Sequence, residues 1–170
     1  MAENNFELRV SEPILNEANY QLSKEELSAW FDEQYQLLQA GKKQGVTMEF
    51  AMLGHAMDFI DFAERATQIE LDFEEESLGA FEAILEAIYQ LFQRQKPSDE
   101  DFVDMVKRAT GYFGAVILRN IGGNWIQSNI GMGIQIKGTN AFVYNRIARR
   151  LSNGREDEVL SFYEALKGIE

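Results

Sequence analysis

Apolar residues recur every three or four positions along most of the chain, which is the spacing of amphipathic helices. Serine and threonine residues that can cap a helix precede several of these segments, and glycine or proline follows them. The pattern predicts about six helices, with approximate bounds at 23–40, 47–68, 73–96, 98–120, 139–153 and 156–166. The fold is therefore expected to be mostly helical.

Residues 111–127, GYFGAVILRNIGGNWIQ, place Gly111 and Gly114 inside a helix whose end is apolar on all sides. An interior glycine costs a helix about 0.5–1 kcal/mol relative to alanine, so we expect another backbone to pack closely there. The pair Gly122-Gly123 ends the helix, and short strands at 125–127 and 134–137 follow. The sequence predicts an α+β fold with a small antiparallel β-hairpin near residues 124–137.

Residues 1–22 show only a weak alternation of apolar and polar positions, which indicates an N-terminal arm or a short edge strand. No later stretch has the length or composition of an interdomain linker. We therefore expect residues 23–170 to form a single globular α+β domain.

The net charge of −12 lies entirely in residues 1–96, which hold 7 Lys/Arg and 19 Asp/Glu. Such a chain is repelled by phosphate backbones and anionic lipids, so we expect neither nucleic acid nor membrane binding. No apolar run is long enough to span a bilayer, cysteine is absent, and MAENNFELRV does not read as a secretory signal. These features favour a cytoplasmic protein.

The demands of solubility alone could explain the acidic residues, and the sharper alternative is that they bind a basic protein. They fall in two groups, the predicted outer face of the second helix and the start of the third. The candidates are Asp58, Asp61, Glu64, Glu70, Asp72, Glu74, Glu75 and Glu76.

Few residues could support catalysis, because the chain has one histidine, His55, and no cysteine. The glycines follow a helix and precede a strand, whereas a nucleotide-binding loop needs the opposite order. We predict no catalytic residues and no cofactor. A metal-dependent hydrolase using His55, Asp58 and Asp61, spaced three residues apart on one helix, is kept as an alternative.

Two further sets of residues are candidates for ligand binding. Arg146, Arg149 and Arg150 are predicted to lie opposite the apolar face of the fifth helix, where they either bind an anion or pair with acidic residues of the chain. Tyr112 and Trp125 lie where a small-ligand pocket could form between helix and hairpin.

Three segments resemble a group of small bacterial proteins of unknown function. They are LDFEEESL (71–78), GYFGAVILRNIGGNW (111–125) and RLSNGREDEVLSFYEAL (150–166). In that group a Gly-Tyr-hydrophobic-Gly helix precedes Gly-Gly-x-Trp, and a helix pair ending in Phe-Tyr follows. The resemblance implies a bacterial, cytosolic, stand-alone α+β domain, without assigned catalytic residues.

Taken together, the residues favour a non-enzymatic protein-interaction domain, of the kind represented by toxin-neutralising immunity proteins. The expected partner is a basic protein. A homo-oligomer is also open, because the two-sided helix at residues 109–118 could pack against a second copy of the chain.

Overall fold

A computed structural model describes residues 20–41 and 46–170. Within them, six α-helices are α1 (Lys24–Gln39), α2 (Met48–Thr67), α3 (Leu78–Arg94), α4 (Asp99–Asn120), α5 (Val143–Asn153) and α6 (Val159–Lys167). Three strands are β1 (Asn124–Gln127), β2 (Met132–Ile136) and β3 (Thr139–Ala141), and short 3-10 turns cover Glu75–Ser77 and Arg155–Asp157. The predicted α+β, mostly helical fold is confirmed. Most of the expected N-terminal arm, residues 1–19, lies outside the described residues.

Three helices begin at the capping residues that the sequence predicted. Ser23 Oγ accepts from the Glu26 amide at 3.1 Å, and the Glu26 carboxylate accepts from the Ser23 amide at 3.3 Å, which completes a capping box. Thr47 and Ser98 accept from the third residue of α2 and of α4 in the same way. Local hydrogen bonding therefore sets these helix starts.

The sheet contains three antiparallel strands in the order β1-β2-β3, where a two-stranded hairpin was expected. Residues 139–141 were predicted to open the fifth helix, and that prediction is wrong. Lys137 and Gly138 both have positive φ, so they form a tight turn that pairs Ile136 with Thr139. The helix begins only at Val143.

The glycines of α4 lie where other parts of the chain approach its backbone. A β-carbon at Gly111 would lie 2.5 Å from the Met52 carbonyl oxygen and 2.7 Å from the Ala56 amide nitrogen of α2. A β-carbon at Gly114 would lie 2.2 Å from the indole of Trp125. All residues from Ala109 to Leu118 are buried, so the predicted close packing around this helix end is confirmed.

Candidate functional site

The acidic linker, residues 69–77 between α2 and α3, contacts the ends of three helices. Glu70 pairs with Lys24 at the start of α1 at 3.0 Å, and Glu74 pairs with Arg119 at the end of α4 at 2.6 Å. Glu75 pairs with Lys167 at the end of α6. Three of the five acidic candidates in this linker are therefore already bound within the chain.

Tyr112 anchors the same linker from inside the core. Its hydroxyl accepts from the Phe73 amide at 3.0 Å and shares a 2.6 Å hydrogen bond with Ser77 Oγ. The ring is fully buried and stacks on Phe73, with centroids 5.4 Å apart. Burial raises the pKa of Tyr112 to about 12. The neutral phenol thus has a structural role, which the sequence did not indicate.

Arg119 connects the linker to the residues that precede α1. Its Nη1 donates to the Tyr20 carbonyl at 2.8 Å and also to the Leu22 carbonyl, while Nη2 holds Glu74. The side chain is only 12% exposed. Its contacts span about 45 to 99 residues of sequence, so no local pattern could have revealed them.

Several acidic candidates stay exposed without an ion pair among the described residues, namely Asp58, Glu64, Asp72 and Glu76. Asp72 Oδ1 accepts from the Glu74 amide at 3.1 Å. Asp61 pairs with Arg65 one turn along α2 at 2.9 Å, but its side chain is 64% exposed. Exposed ion pairs of this kind contribute little to the free energy of unfolding. As far as residues 20–41 and 46–170 show, these carboxylates face solvent and are accessible to a partner.

The acidic segment, defined as residues 46–77, contains nine acidic residues and one basic residue. When Lys24, Arg119 and Lys167 are counted as well, five negative charges have no counter-charge among the described residues. Internal pairing therefore explains part of the acidity and leaves a negative surface.

A groove of about 370 Å³ lies beside the ion pairs of the linker. It is lined by Ser23, Lys24, Glu25, Glu70, Asp72, Glu74 and Arg119. Four carboxylates and two cationic side chains surround it, so its lining keeps the negative sign of the acidic segment.

His55 lies half-buried on α2 beside the crossing with α4. Burial lowers the pKa of its imidazole, and Lys107 and Arg108 on α4 add to this effect. Within residues 20–41 and 46–170, no three His, Cys, Asp or Glu side chains come together as a metal site would require. The described geometry gives the His55/Asp58/Asp61 hydrolase no support.

The three arginines of α5 have different surroundings. Arg149 is exposed, and Arg146 pairs with Asp157 at 3.3 Å and covers the Phe162 ring at 4.9 Å. Arg150 was predicted to face outward, and this is wrong, because its side chain is completely buried. It lies three residues after Ile147 and seven after Val143, so helical spacing already places it on the inward face.

Arg150 forms a buried ion-pair cluster with two glutamates of α3. Its Nε donates to Glu82 at 2.6 Å and its Nη2 donates to Glu86 at 2.8 Å. Burial opposes the charge of the guanidinium, but the two carboxylates outweigh it and raise the pKa of Arg150. The pKa of Glu86 is lowered by its hydrogen bonds from Gln90 and Arg150. Neither glutamate was predicted from the sequence to belong to a site.

At the predicted ligand site, Tyr112 and Trp125 are both packed into the core of the described residues. Trp125 is 5% exposed and packs on Gly114, and Tyr112 is fully buried. Neither residue lines the groove beside the linker, nor a second cavity next to Arg150. Their placement favours a structural role.

Comparisons with known proteins found no match to the chain among protein-family models, curated proteins or solved structures. The resemblance to small bacterial proteins therefore stays a prediction. Among the residues that the structure describes, no helix combines the length and the apolar composition needed to cross a membrane.

Proposed function

We propose that the chain is a non-enzymatic protein-interaction domain of the bacterial cytoplasm that binds a basic protein through its acidic segment. The observation that carries this proposal is the unbalanced charge of residues 46–77. Five negative charges persist after the linker has paired with Lys24, Arg119 and Lys167. A surface of one sign steers an oppositely charged partner and rejects partners of the same sign.

The contacts of the linker indicate a preorganised surface to which a folded partner could bind. The ends of α1, α4 and α6 hold residues 69–77, and the buried Tyr112 hydroxyl holds the Phe73 amide. A surface that is already ordered loses little conformational entropy when a partner binds. Toxin-neutralising immunity proteins, which are often small and acidic, are the class that this arrangement fits.

The test is an affinity purification of the tagged full chain from the cells that make it, with the recovered proteins identified by mass spectrometry. We expect a stoichiometric basic protein that is released as the salt concentration rises, because salt screens exposed charges. A preparation without any stoichiometric basic protein would overturn the proposal.

A matched pair of variants locates the binding surface. Glu64→Gln combined with Glu76→Gln removes one exposed charge from each part of the acidic segment. Glu100→Gln combined with Glu156→Gln removes two exposed charges elsewhere. We expect the first pair to reduce partner recovery at low salt and the second to leave it unchanged. Equal recovery with both pairs would place the interface elsewhere.

A further inference from the structure

Three aromatic rings form a stack that runs from the core to the surface of the protein. Phe50 of α2 is buried, and its ring stacks on that of Phe31 of α1 with the centroids 4.8 Å apart. Phe31 stacks in turn on Tyr35, four residues later on α1, with the centroids 6.2 Å apart. The planes of both pairs are inclined by only 19°. The stack therefore holds the ring of Tyr35 in a defined orientation.

Tyr35 is exposed to solvent although it belongs to this stack. Its exposed fraction is 47%, and every other aromatic residue among residues 20–41 and 46–170 is buried or half-buried. Because Phe31 stacks on one face of the ring, the opposite face is the one that a partner can cover. Tyrosine is also one of the residue types that most often dominate the binding energy of interfaces.

The exposed ring has a carboxylate beside it. Asp32 lies three residues before Tyr35, and residues with this spacing are neighbours on the surface of a helix. Asp32 is exposed, and no cation pairs with it among the described residues. An aromatic ring and an accessible carboxylate therefore lie next to each other on α1.

The surroundings of the ring are negatively charged. Residues 24–67, which form α1, α2 and their connection, hold eight acidic and four basic side chains. Two of these cations already have partners, because Lys24 pairs with Glu70 and Arg65 pairs with Asp61. A negative surface attracts cationic groups of a partner and repels anionic ones. The charge around the ring thus favours a cationic side chain.

The aromatic stack adjoins the acidic face of α2. Phe31 lies over Gly54, where an added β-carbon would be 3.3 Å from its ring. Asp58 and Asp61 follow Gly54 by four and seven residues, so helical spacing places them on the same side of α2. The stack that carries Tyr35 therefore lies at the margin of the acidic segment, where one partner can contact both.

From these features we propose that Tyr35 and Asp32 receive an arginine side chain of the basic protein that binds the acidic segment. The planar guanidinium stacks on the open face of the Tyr35 ring and donates hydrogen bonds to the Asp32 carboxylate. This assignment rests on the proposed function, because the arginine belongs to the same basic partner.

Arginine fits this pair of groups better than other side chains do. A lysine ammonium is a strongly hydrated point charge and lacks the planar group that stacks on a ring. An apolar side chain would remove water from the Asp32 carboxylate without supplying a hydrogen-bond donor in return. An acidic side chain would be repelled by the carboxylates of residues 24–67.

The experiment is an NMR titration of the ¹⁵N-labelled full chain with capped hexa-arginine, and capped hexa-lysine is the control of equal charge. Attraction by net charge acts on both peptides, so the difference in affinity reports the guanidinium groups. We expect the arginine peptide to shift the amides of Asp32 and Tyr35 and to bind about two- to fivefold more tightly, the range of an exposed cation–π contact. Equal affinities, or unshifted amides at these two residues, would overturn the proposal.

Substitutions at the two residues locate the contact. Tyr35→Ala should lower the affinity for hexa-arginine to that for hexa-lysine, whereas Tyr35→Phe keeps an aromatic ring and should preserve the difference. Asp32→Asn should weaken hexa-arginine binding more than Glu156→Gln, which removes an exposed charge elsewhere. Asp32→Asn also keeps the ring stack intact, so it tests the site even if Tyr35→Ala unfolds. Wild-type affinity in both Tyr35→Ala and Asp32→Asn would contradict the assignment.

The co-purified basic protein separates this inference from the proposed function. Tyr35→Ala should weaken its binding about two- to fivefold, and Leu91→Ala, which truncates an exposed side chain on α3, should not. If the basic protein binds wild type and Tyr35→Ala equally, the inference fails while the proposed function stands. If no basic protein is recovered, the proposed function fails, and the peptide titration alone decides whether Tyr35 and Asp32 bind arginine.

Discussion

The indole of Trp125 occupies the place where a side chain at residue 114 would lie. A β-carbon at Gly114 would be 2.2 Å from both Cζ2 and Cη2 of that ring. Trp125 lies in β1, the first strand of the sheet, and Gly114 belongs to the buried half of α4. This contact therefore joins the sheet to the helical core, and it explains why the helix contains a glycine at that position.

Gly114→Ala should destabilise the protein by about 1–3 kcal/mol, the usual cost of overpacking a rigid core. Helix propensity favours alanine, but the added methyl group would overlap the indole of Trp125, which is itself only 5% exposed. Urea unfolding measures the change in the free energy of unfolding. Gly79→Ala is the matched control, because it adds the same methyl group to open space, and it should be neutral or stabilising by up to about 1 kcal/mol. Equal effects of both substitutions would contradict the Gly114–Trp125 contact.

Gly111→Ala tests the crossing of α2 and α4. Its new methyl group would meet the Met52 carbonyl and the Ala56 amide, which are backbone atoms. Because a helix backbone cannot rotate away as a side chain does, we expect a loss at least as large as that for Gly114→Ala, about 2–3 kcal/mol or more. Thermal unfolding of the two variants side by side gives their order. A mild effect of Gly111→Ala would mean that the helices cross elsewhere.

Arg150→Met should destabilise the protein by about 3–5 kcal/mol, because it leaves Glu82 and Glu86 without their buried cation. Adding Glu82→Gln and Glu86→Gln to Arg150→Met should restore part of this loss, since no unpaired carboxylate then remains. Chemical unfolding of the single and triple variants measures the coupling. If the triple variant is less stable than Arg150→Met by the sum of the separate effects, the three groups do not act as one cluster.

The stability of the protein should fall as the pH drops through 6.5. Burial lowers the pKa of His55 below its ordinary value of 6.5, so the folded state binds fewer protons than the unfolded state in this window. The contribution of His55 to the free energy of unfolding is fully present above the pKa of the unfolded state. It is lost as the pH falls through the lower pKa of the folded state. His55→Gln should flatten this part of the stability profile. NMR titration of the single imidazole gives the pKa directly, and a midpoint above 6.5 would contradict the half-buried placement.

The sequence predicted those features of the fold that depend on neighbouring residues. Ser23, Thr47 and Ser98 accept hydrogen bonds from amides only three positions away, so a short sequence window contains the whole interaction. The glycines of α4 were also informative. Because glycine lowers the stability of a helix, its presence there indicated that another part of the chain packs closely. The third strand was missed because the turn before it needs a positive φ at Lys137. Lysine rarely adopts that conformation, so its presence in the sequence does not indicate such a turn.

The candidate site depended on contacts that a single sequence cannot reveal. The acidic residues of the linker were recognised, but their partners lie far away: Glu75 and Lys167 are separated by 92 positions. The partners of Arg150 lie 64 and 68 positions away. Its inward orientation, by contrast, could have been read from its helical spacing with Ile147. Charge composition therefore predicted the sign of the surface, and only the fold separated paired from unpaired carboxylates.

The measurement that tests the central claim most directly is the affinity for the co-purified basic protein across a series of salt concentrations. Wild type, Glu64→Gln/Glu76→Gln and Glu100→Gln/Glu156→Gln are compared by the same binding assay. The account predicts that only the Glu64/Glu76 variant binds severalfold more weakly at low salt and shows a shallower salt dependence, because charged interface residues act mainly through steering. Identical affinities and salt dependence for all three proteins would contradict binding through the acidic segment.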